Sequence, residues 1–236
     1  MAKLIQEISV FLPTYNEESN IGSVIIKTTE VLKSVAEKWE LLIINDGSTD
    51  STREVALTFS KSDKNIRLID NKKNRGYGAA LASGFYNSRF SWIAFIDSDG
   101  QFDFGEIVDF IAKSRSTNAD LVIGYYKSRK VSFSKIITSR LWEFLVYLLF
   151  GLKVHDIDCG FKLISKKVFD KISKLESERG AFISSELLIK SKKAGFRIEE
   201  VPVTHYPRIK GTGTGRNINV IIKSFTDLFR LWRKLQ

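Results

Sequence analysis

The segment FIDSDGQF, residues 95–102, places two carboxylates and an amide directly after an apolar run. Because side chains alternate along an extended chain, Asp97 and Asp99 point to the same side of it. Carboxylate and amide oxygens are hard ligands that suit Mg²⁺ or Mn²⁺, and Gln101 adds a third oxygen at the same spacing. The pattern predicts a divalent metal site that also binds a substrate diphosphate. A simple strand-end turn, where Asp and Gly are common, is the alternative.

Two earlier apolar runs also end in polar residues. PTYNEE (13–18) follows the first run, and NDGSTD (45–50) follows the second. Tyr15 and Glu17 could contact a nucleobase or its ribose, and Asp46 could accept hydrogen bonds from the base. Helix capping and ordinary turn chemistry are the alternatives. Since ligands of parallel α/β sheets bind beyond the carboxyl ends of the strands, the three strand ends together favour a nucleotide site.

The segment NRGYGAALASG (74–84) is a glycine-rich loop that leads into a helix. It does not satisfy the dinucleotide pattern G-x-G-x-x-G, because Leu81 stands where the third glycine is required. The loop is also too long for the tight turn of that motif. A glycine pair at this point favours close approach to a nucleotide sugar, with the amides of the helix N-terminus offered to phosphate.

These motifs need a framework, and the chain supplies one by alternating strand and helix signals. Short apolar runs predict five strands, at residues 8–13, 40–46, 65–70, 91–97 and 119–126. The connections carry helix signals, including a helix that ends at about residue 37 and another at about 104–115. After residue 127 the pattern predicts an apolar helix at 134–150, a helix near 183–194 and a strand at 196–203. Continuous apolar strands joined by helices indicate a mostly parallel sheet that is covered on both faces.

Composition and charge narrow the classes of function. The 236 residues are 43% hydrophobic and carry a net charge of +10, which favours an anionic partner such as a phosphorylated ligand, nucleic acid or an acidic membrane face. Nucleic acid is disfavoured, because the aromatic residues are not interleaved with a basic stripe.

Cys159 is the single cysteine, so we expect no internal disulfide and a reducing compartment. We expect neither a signal peptide nor a spanning helix.

The motifs PTYNEE, INDGSTD, NRGYGAALASG and DSDGQ, in this order and spacing, resemble those of the family 2 glycosyltransferases, and more narrowly the dolichyl- and polyprenyl-phosphate mannose and glucose synthases. The resemblance covers residues 8 to about 215. It implies an α/β protein of the GT-A fold, with a mostly parallel central sheet and helices on both faces. Residues 1–236 would form one domain. It would comprise a Rossmann-like nucleotide-sugar half (1–126), an acceptor half (127–215) and an amphipathic C-terminal helix (216–236).

The resemblance also implies roles for single residues. The nucleotide sugar would contact Pro13, Tyr15, Glu17, Asp46, Gly76, Asp97 and Ser98. The metal, Mg²⁺ or Mn²⁺, would be bound by Asp97, Asp99 and Gln101. In the basic segment HYPRIKGTG, Arg208 would bind the leaving diphosphate.

The segment HDIDCGFKL (155–163) is similar to the family's acceptor element D-x-x-x-G-F-[KR]. The acceptor phosphate would contact Arg129, Arg140 and Lys162. A lipid phosphate is already anionic and needs no base, whereas a hydroxyl acceptor needs a carboxylate within hydrogen-bond reach. Asp156 and Asp158 would position cations in the first case, and one of them would be the base in the second. A capping or ion-pair role for Asp156 is the alternative.

The leading hypothesis is an inverting, metal-dependent transferase that moves a hexose from GDP-mannose or UDP-glucose to a polyprenyl or dolichyl phosphate. The alternatives are transfer to a glycan or protein hydroxyl, and a non-catalytic subunit that binds a nucleotide sugar. The apolar helix at 134–150 and the C-terminal helix indicate peripheral attachment to the cytoplasmic face of a membrane, with or without a separate anchor protein. Packing of the C-terminal helix on the core is the other interpretation. No nucleic-acid partner is expected.

Overall fold

The structure is a computed structural model that describes residues 3–127, 133–177, 180, 182–208 and 218–235. Within two of its helices, at 133–138 and 218–223, it describes the backbone alone. Arg129, one of the residues predicted to contact the acceptor phosphate, therefore lies outside the described residues.

A seven-stranded sheet forms the centre of the described chain, in the order β3-β2-β1-β4-β6-β5-β7. The strands are β1 (Ile5–Thr14), β2 (Ala36–Asp46), β3 (Ile66–Asn71), β4 (Trp92–Phe95), β5 (Leu121–Tyr126), β6 (Lys162–Ser165) and β7 (Ile198–Val203). The first four strands pair in parallel, and β7 pairs in parallel with β5. β6 is antiparallel to both of its neighbours, β4 and β5. The prediction of a mostly parallel α/β sheet is confirmed.

Helices pack on both faces of this sheet. They are α1 (Ile21–Val35), α2 (Thr52–Ser62), α3 (Tyr77–Asn87), α4 (Ile107–Thr117), α5 (Phe133–Phe150), α6 (Lys167–Lys171), α7 (Phe182–Lys193) and α8 (Ile218–Lys234). A short 3₁₀ turn at Phe104–Glu106 leads into α4. The first helix ends two residues before the predicted limit, because β2 begins at Ala36, directly after the last residue of α1.

The continuous apolar strands are buried because the sheet is covered on both sides. Val10, Phe11 and Leu12 in the middle of β1 have no exposed surface. Val10 and Leu12 belong to the core cluster that includes α1 and α4, and Phe11 belongs to the cluster that includes α3 and α7. Alternation along the strand thus divides one apolar run between two cores, as a doubly covered sheet requires.

β6 and the short helix α6 are absent from the sequence-based expectation. Four residues carry too little periodicity to be recognised as a strand, and the pairing of β6 depends on partners far away in sequence. Lys162 pairs with Phe95 of β4, and Ser165 pairs with Trp92. This insertion places the segment 156–161 beside the carboxyl end of β4, where the acidic motif begins.

The last helix packs on the protein with part of its apolar face. Leu228 and Leu231 of α8 are buried, and Phe225 contacts Trp142 of α5 with 5.2 Å between ring centroids. By contrast, four large side chains within residues 139–150 of α5 are exposed: Leu141, Phe144, Tyr147 and Leu148. No helix within the described parts of the chain has the length and apolarity needed to cross a membrane.

Candidate active site

The three predicted polar strand ends meet at one edge of the sheet. β1 lies between β2 and β4, and its last residue, Thr14, pairs with Asn45 of β2. On the other side, the Ser98 hydroxyl donates a hydrogen bond of 2.8 Å to the Pro13 carbonyl. This bond ties the segment after β4 to the end of β1. Except for Gly76, which precedes α3, the residues predicted to bind the nucleotide sugar therefore come from three adjacent strand ends.

The loop after β1 and the loop after β2 are held together by hydrogen bonds between backbone and side chains. The Asn16 amide donates to the Ser48 hydroxyl at 3.0 Å, and the Glu17 amide donates to the Thr52 hydroxyl at 2.8 Å. Tyr15, at the start of this arrangement, keeps about a third of its surface exposed. The two loops form a fixed wall from which the Tyr15 ring is available to a ligand.

Asp46, the last residue of β2, holds the glycine-rich loop. Its carboxylate accepts hydrogen bonds from the Gly76 amide at 2.7 Å, from the Arg75 amide at 3.1 Å and from the Asn71 side chain at 3.2 Å. Gly47 follows with a φ of 69°, and a Cβ there would lie 2.5 Å from the Asn74 nitrogen. The Asp-Gly pair therefore lets the loop pack directly on the strand end. The expected contact of Asp46 with a base stays a prediction.

The acidic motif at the end of β4 is electrostatically strained. Burial raises the pKa of the Asp97 carboxyl to about 7, and the neighbouring Asp99 carboxylate adds to this rise. The Tyr77 hydroxyl donates a hydrogen bond of 2.8 Å to Asp97 and acts in the opposite direction. A bound cation relieves the repulsion between like charges that are held close together in a protein.

The donor set fits a hard divalent ion. Asp97 and Asp99 supply carboxylates, and Gln101 has a side-chain carbonyl two residues further on. Within the described residues no group of three or more His, Cys, Asp or Glu side chains is placed to hold a metal ion. Mg²⁺ is commonly bound by one or two carboxylates together with water and substrate phosphates, so a pair of aspartates suits an ion shared with a diphosphate.

The segment after β7 joins the site through Gln101. The Gln101 side-chain amide donates to the Tyr206 carbonyl at 2.8 Å, and the Tyr206 amide donates to the Gln101 carbonyl at the same distance. Two residues later, the Arg208 guanidinium forms an ion pair with the Glu17 carboxylate. Glu17 also accepts a hydrogen bond of 2.7 Å from the Asn20 side chain. The structure thus brings Arg208, a predicted diphosphate ligand, to the loop after β1.

The predicted acceptor segment, residues 155–163, lies against the acidic motif. Gly160 packs on Asp97 so closely that a Cβ at Gly160 would lie 2.2 Å from the Asp97 Oδ2. Within the segment, the Asp158 amide donates to the Asp156 carboxylate at 3.0 Å. Asp156 itself is buried. Sequence reasoning places these residues near an acceptor, and the structure places them at the same strand end as the predicted metal ligands.

The basic residues predicted for the acceptor phosphate differ in their surroundings. Lys162 is fully buried, its ammonium donates a hydrogen bond to the Cys159 carbonyl, and burial lowers its pKa. Arg140 lies on α5 with a largely exposed side chain and pairs with Glu143 at 3.4 Å. The contact of either residue with a phosphate stays a prediction.

Two contacts that hold the predicted site residues escaped the sequence analysis. Glu200 of β7 accepts hydrogen bonds from the His155 backbone at 2.7 Å and pairs with its ring at 2.9 Å, and the ring stacks on Tyr125. These contacts anchor the start of the acceptor segment to β7. The other is the bond from Tyr77 to Asp97. Its only signal in the sequence is a tyrosine between the two glycines of NRGYG.

The order of strands and the acidic motif at the end of β4 define the class of protein. A family model described as glycosyl transferase family 2 matches residues 9–173, from β1 to α6. The chain belongs to this family, and its fold is GT-A.

Similarity to particular members extends over almost the whole chain. It is 31% identical over 238 residues to dolichyl-phosphate beta-glucosyltransferase ALG5A of Trichomonas vaginalis, with 95% of this chain and 72% of that protein covered. It is 29% identical over 228 residues to dodecaprenyl-phosphate galacturonate synthase of Rhizobium johnstonii, with 94% and 67% covered. Among solved structures, glucosyl-3-phosphoglycerate synthase from Mycobacterium tuberculosis, in complex with Mn²⁺, UDP-glucose and phosphoglyceric acid, superposes with a TM-score of 0.70. The identity is 20%, with 96% of this chain and 80% of that chain covered, so this likeness concerns the fold.

Proposed function

We propose that this protein transfers a hexose from a nucleotide diphosphate sugar to a polyprenyl or dolichyl phosphate, with inversion at the anomeric carbon. The carrying observation is the close packing of the acceptor segment, at Gly160, against the metal-binding motif, at Asp97. Donor and acceptor groups would then meet at one strand end. The names of two relatives, a dolichyl-phosphate glucosyltransferase and a dodecaprenyl-phosphate galacturonate synthase, support a polyprenyl phosphate as the acceptor.

On the donor side, Asp97, Asp99 and Gln101 would hold Mg²⁺ or Mn²⁺. A bound ion supplies positive charge that offsets the negative charge developing on the leaving diphosphate. Tyr15 and the loop held by Asp46 would contact the nucleoside. Arg208, which pairs with Glu17 in this structure, would exchange that partner for the diphosphate and add charge-assisted hydrogen bonds.

On the acceptor side, a lipid phosphate attacks as an anion and needs no proton removed. Its approach to a diphosphate needs cations instead. Arg140, whose side chain is exposed, and Arg129 are the proposed contacts, and the buried Lys162 would add positive charge at the segment 155–163. Asp156 and Asp158 would orient these cations. With a hydroxyl acceptor, one of the two would have to be the base.

The transfer test uses the purified chain with Mn²⁺, a polyprenyl phosphate and labelled UDP-glucose or GDP-mannose. Label extractable into organic solvent is the expected result. Asp99→Asn is expected to reduce the rate at least about a hundredfold, because it removes a charge from the metal site. Asp109→Asn, an equivalent change on the exposed side of α4, is expected to stay within about twofold. No extractable label with either donor would overturn the proposal.

The same assay separates the lipid phosphate from a hydroxyl acceptor. With a lipid phosphate, Asp156→Asn and Asp158→Asn are each expected to retain measurable turnover, since no proton has to be removed. Abolition of turnover by one of them, with metal-dependent nucleotide binding intact, would favour a base and thus a hydroxyl acceptor.

We further propose that α5 contacts the cytoplasmic face of a membrane, where the lipid acceptor resides. Phe144 and Leu148 are both more than half exposed on this helix, and the Arg140 side chain is exposed beside them. Apolar side chains next to a cation suit an interface of anionic lipids.

Binding to vesicles of anionic phospholipid tests this surface. Phe144→Glu is expected to weaken binding at least about tenfold, because a buried phenyl group contributes about 1.5–3 kcal/mol. Ile26→Glu, at a residue of α1 that is similarly exposed, is the matched control and is expected to change binding less than about twofold. Equal weakening by both variants would show that the charge alone matters and would contradict the assignment of α5.

A further inference from the structure

Tyr77 contacts the metal-binding motif from the helix that follows the glycine-rich loop. It is the first residue of α3, and its hydroxyl donates a hydrogen bond of 2.8 Å to the Asp97 Oδ1. The two residues are 20 positions apart in sequence and belong to different elements. The contact therefore exists because the fold brings α3 to the end of β4.

The second oxygen of the same carboxylate is confined by backbone. A Cβ at Gly160 would lie 2.2 Å from the Asp97 Oδ2 and 2.6 Å from its Cγ. The main chain at Gly160 thus closes one side of the Asp97 carboxylate, and the Tyr77 ring closes another. Rotation of the carboxylate away from this arrangement would break a hydrogen bond and collide with the acceptor segment.

The two residues before Tyr77 are held by hydrogen bonds to Asp46. The Gly76 amide donates to Asp46 at 2.7 Å, and the Arg75 amide donates to the same carboxylate at 3.1 Å. Asp46 ends β2 and Asp97 follows β4, so the short stretch from Arg75 to Tyr77 connects two strand ends on either side of β1. The position of the Tyr77 hydroxyl is therefore fixed from both ends.

We propose that Tyr77 is a positioning residue for the metal site: its hydroxyl holds the Asp97 carboxylate in the orientation that binds the metal–nucleotide complex. This inference rests on the proposed function. Pre-organised ligands bind better because they lose less conformational freedom on binding. A hydrogen bond to a charged group contributes about 1.5–3 kcal/mol, which corresponds to about 10- to 100-fold in affinity.

The test compares Tyr77→Phe with Tyr86→Phe. Both tyrosines lie on α3, both changes remove one hydroxyl, and the Tyr86 hydroxyl also has a partner, the Leu175 amide at 2.9 Å. Titration calorimetry would measure the affinity for UDP and for GDP, first with Mn²⁺ and then with EDTA. Thermal unfolding of each variant would report the loss of stability.

Tyr77→Phe is expected to weaken Mn²⁺-dependent nucleotide binding at least about tenfold, whereas Tyr86→Phe stays within about twofold. In EDTA, Tyr77→Phe and the wild type are expected to bind nucleotide equally. Replacement of Tyr77 by 4-aminophenylalanine keeps the ring and a hydrogen-bond donor, so it is expected to restore most of the lost affinity. If Tyr77→Phe does not fold, this variant tests the role of the hydrogen-bond donor in its place.

Three results would overturn the role of Tyr77. The first is unchanged Mn²⁺-dependent affinity in Tyr77→Phe, and the second is an equal loss in Mn²⁺ and in EDTA, which would indicate general disruption. The third is a 4-aminophenylalanine variant that binds as weakly as Tyr77→Phe. If Tyr77→Phe does not fold, the corresponding result is a 4-aminophenylalanine variant that binds at least about tenfold more weakly than the wild type. If the wild type binds neither nucleotide in the presence of Mn²⁺, the proposed function fails and this inference fails with it. The two failures are thus distinguishable.

Discussion

Two parts of the molecule, the proposed nucleotide-sugar half and the proposed acceptor half, contribute to the same site by different means. In the nucleotide-sugar half, parallel strands end side by side, and their loops are joined by hydrogen bonds such as those from Asn16 to Ser48 and from Glu17 to Thr52. In the acceptor half, a short antiparallel strand brings one segment to the site, and Glu200 holds its start through His155. The first half builds a site from sheet topology, and the second adds to it by a few long-range contacts.

This difference has a physical basis. Carboxyl ends of adjacent parallel strands meet at one edge by construction, so a ligand site there needs only suitable loop residues. The position of a segment that precedes an antiparallel strand does not follow from the topology of the parallel strands. Its position depends on single contacts, here the close approach of Gly160 to Asp97 and the pair of Glu200 with His155. We therefore expect the acceptor half to be the more sensitive to single substitutions.

A substitution at the contact between the two halves is expected to have the largest effect. Gly160→Ala would place a methyl group 2.2 Å from the Asp97 carboxylate, so one of the two segments must move. We expect a loss of about a hundredfold in kcat/KM, because a displacement of about 1 Å at a reacting site has effects of this size. The measurement is steady-state transfer with the donor varied. Gly22→Ala on α1, where the added Cβ meets only ordinary contacts of 3.7 Å, is the control. Wild-type kinetics for Gly160→Ala would show that the halves are not in rigid contact.

Glu200 tests the acceptor half by itself. Glu200→Ala removes the partner of the His155 amide and ring, so the start of the acceptor segment is released from β7. We expect the KM for the lipid phosphate to rise about tenfold, since about 1–2 kcal/mol of positioning is lost, while nucleotide binding is unchanged. Glu199→Ala is the matched control, because the neighbouring residue pairs instead with Lys113 and Arg197. A similar rise for both variants would assign the effect to β7 as a whole.

The acidic motif predicts a pH dependence of stability in the metal-free protein. The pKa of Asp97 is raised from its ordinary value of 3.8 to about 7, so between these values the folded chain retains a proton that the unfolded chain releases. The contribution of Asp97 to the free energy of unfolding therefore falls as the pH rises through this window, by at most about 1.4 kcal/mol per pH unit.

Urea unfolding in EDTA, compared between the wild type and Asp97→Asn, isolates this term because the asparagine does not titrate. The unfolding free energy of the wild type minus that of Asp97→Asn is expected to decrease from about pH 4 to about pH 7. Above pH 7 this difference is expected to be constant. A difference that is flat across the whole range would mean that Asp97 is ionised in the folded protein. The strained acidic centre would then be absent.

Much of the nucleotide-sugar half follows from local sequence. The runs that form β1 and β2 are apolar and continuous, and the polar residues after them lie where a parallel sheet requires. Pro13, Asp46 and Ser98 come together for this reason. By contrast, β6 has four residues and pairs with strands distant in sequence, and the ion pair of Arg208 with Glu17 spans 191 positions. Local periodicity carries no information about such contacts, because they depend on how complete elements pack.

The antiparallel insertion of β6 also bears on how the molecule moves. β6 forms hydrogen bonds to β4 on one side and to β5 on the other, so the ladder continues without interruption from β3 to β7. A hinge between strands would have to break that ladder. We therefore expect substrate-dependent rearrangement outside the sheet, and amide hydrogen exchange should show the central strands opening together as one cooperative unit.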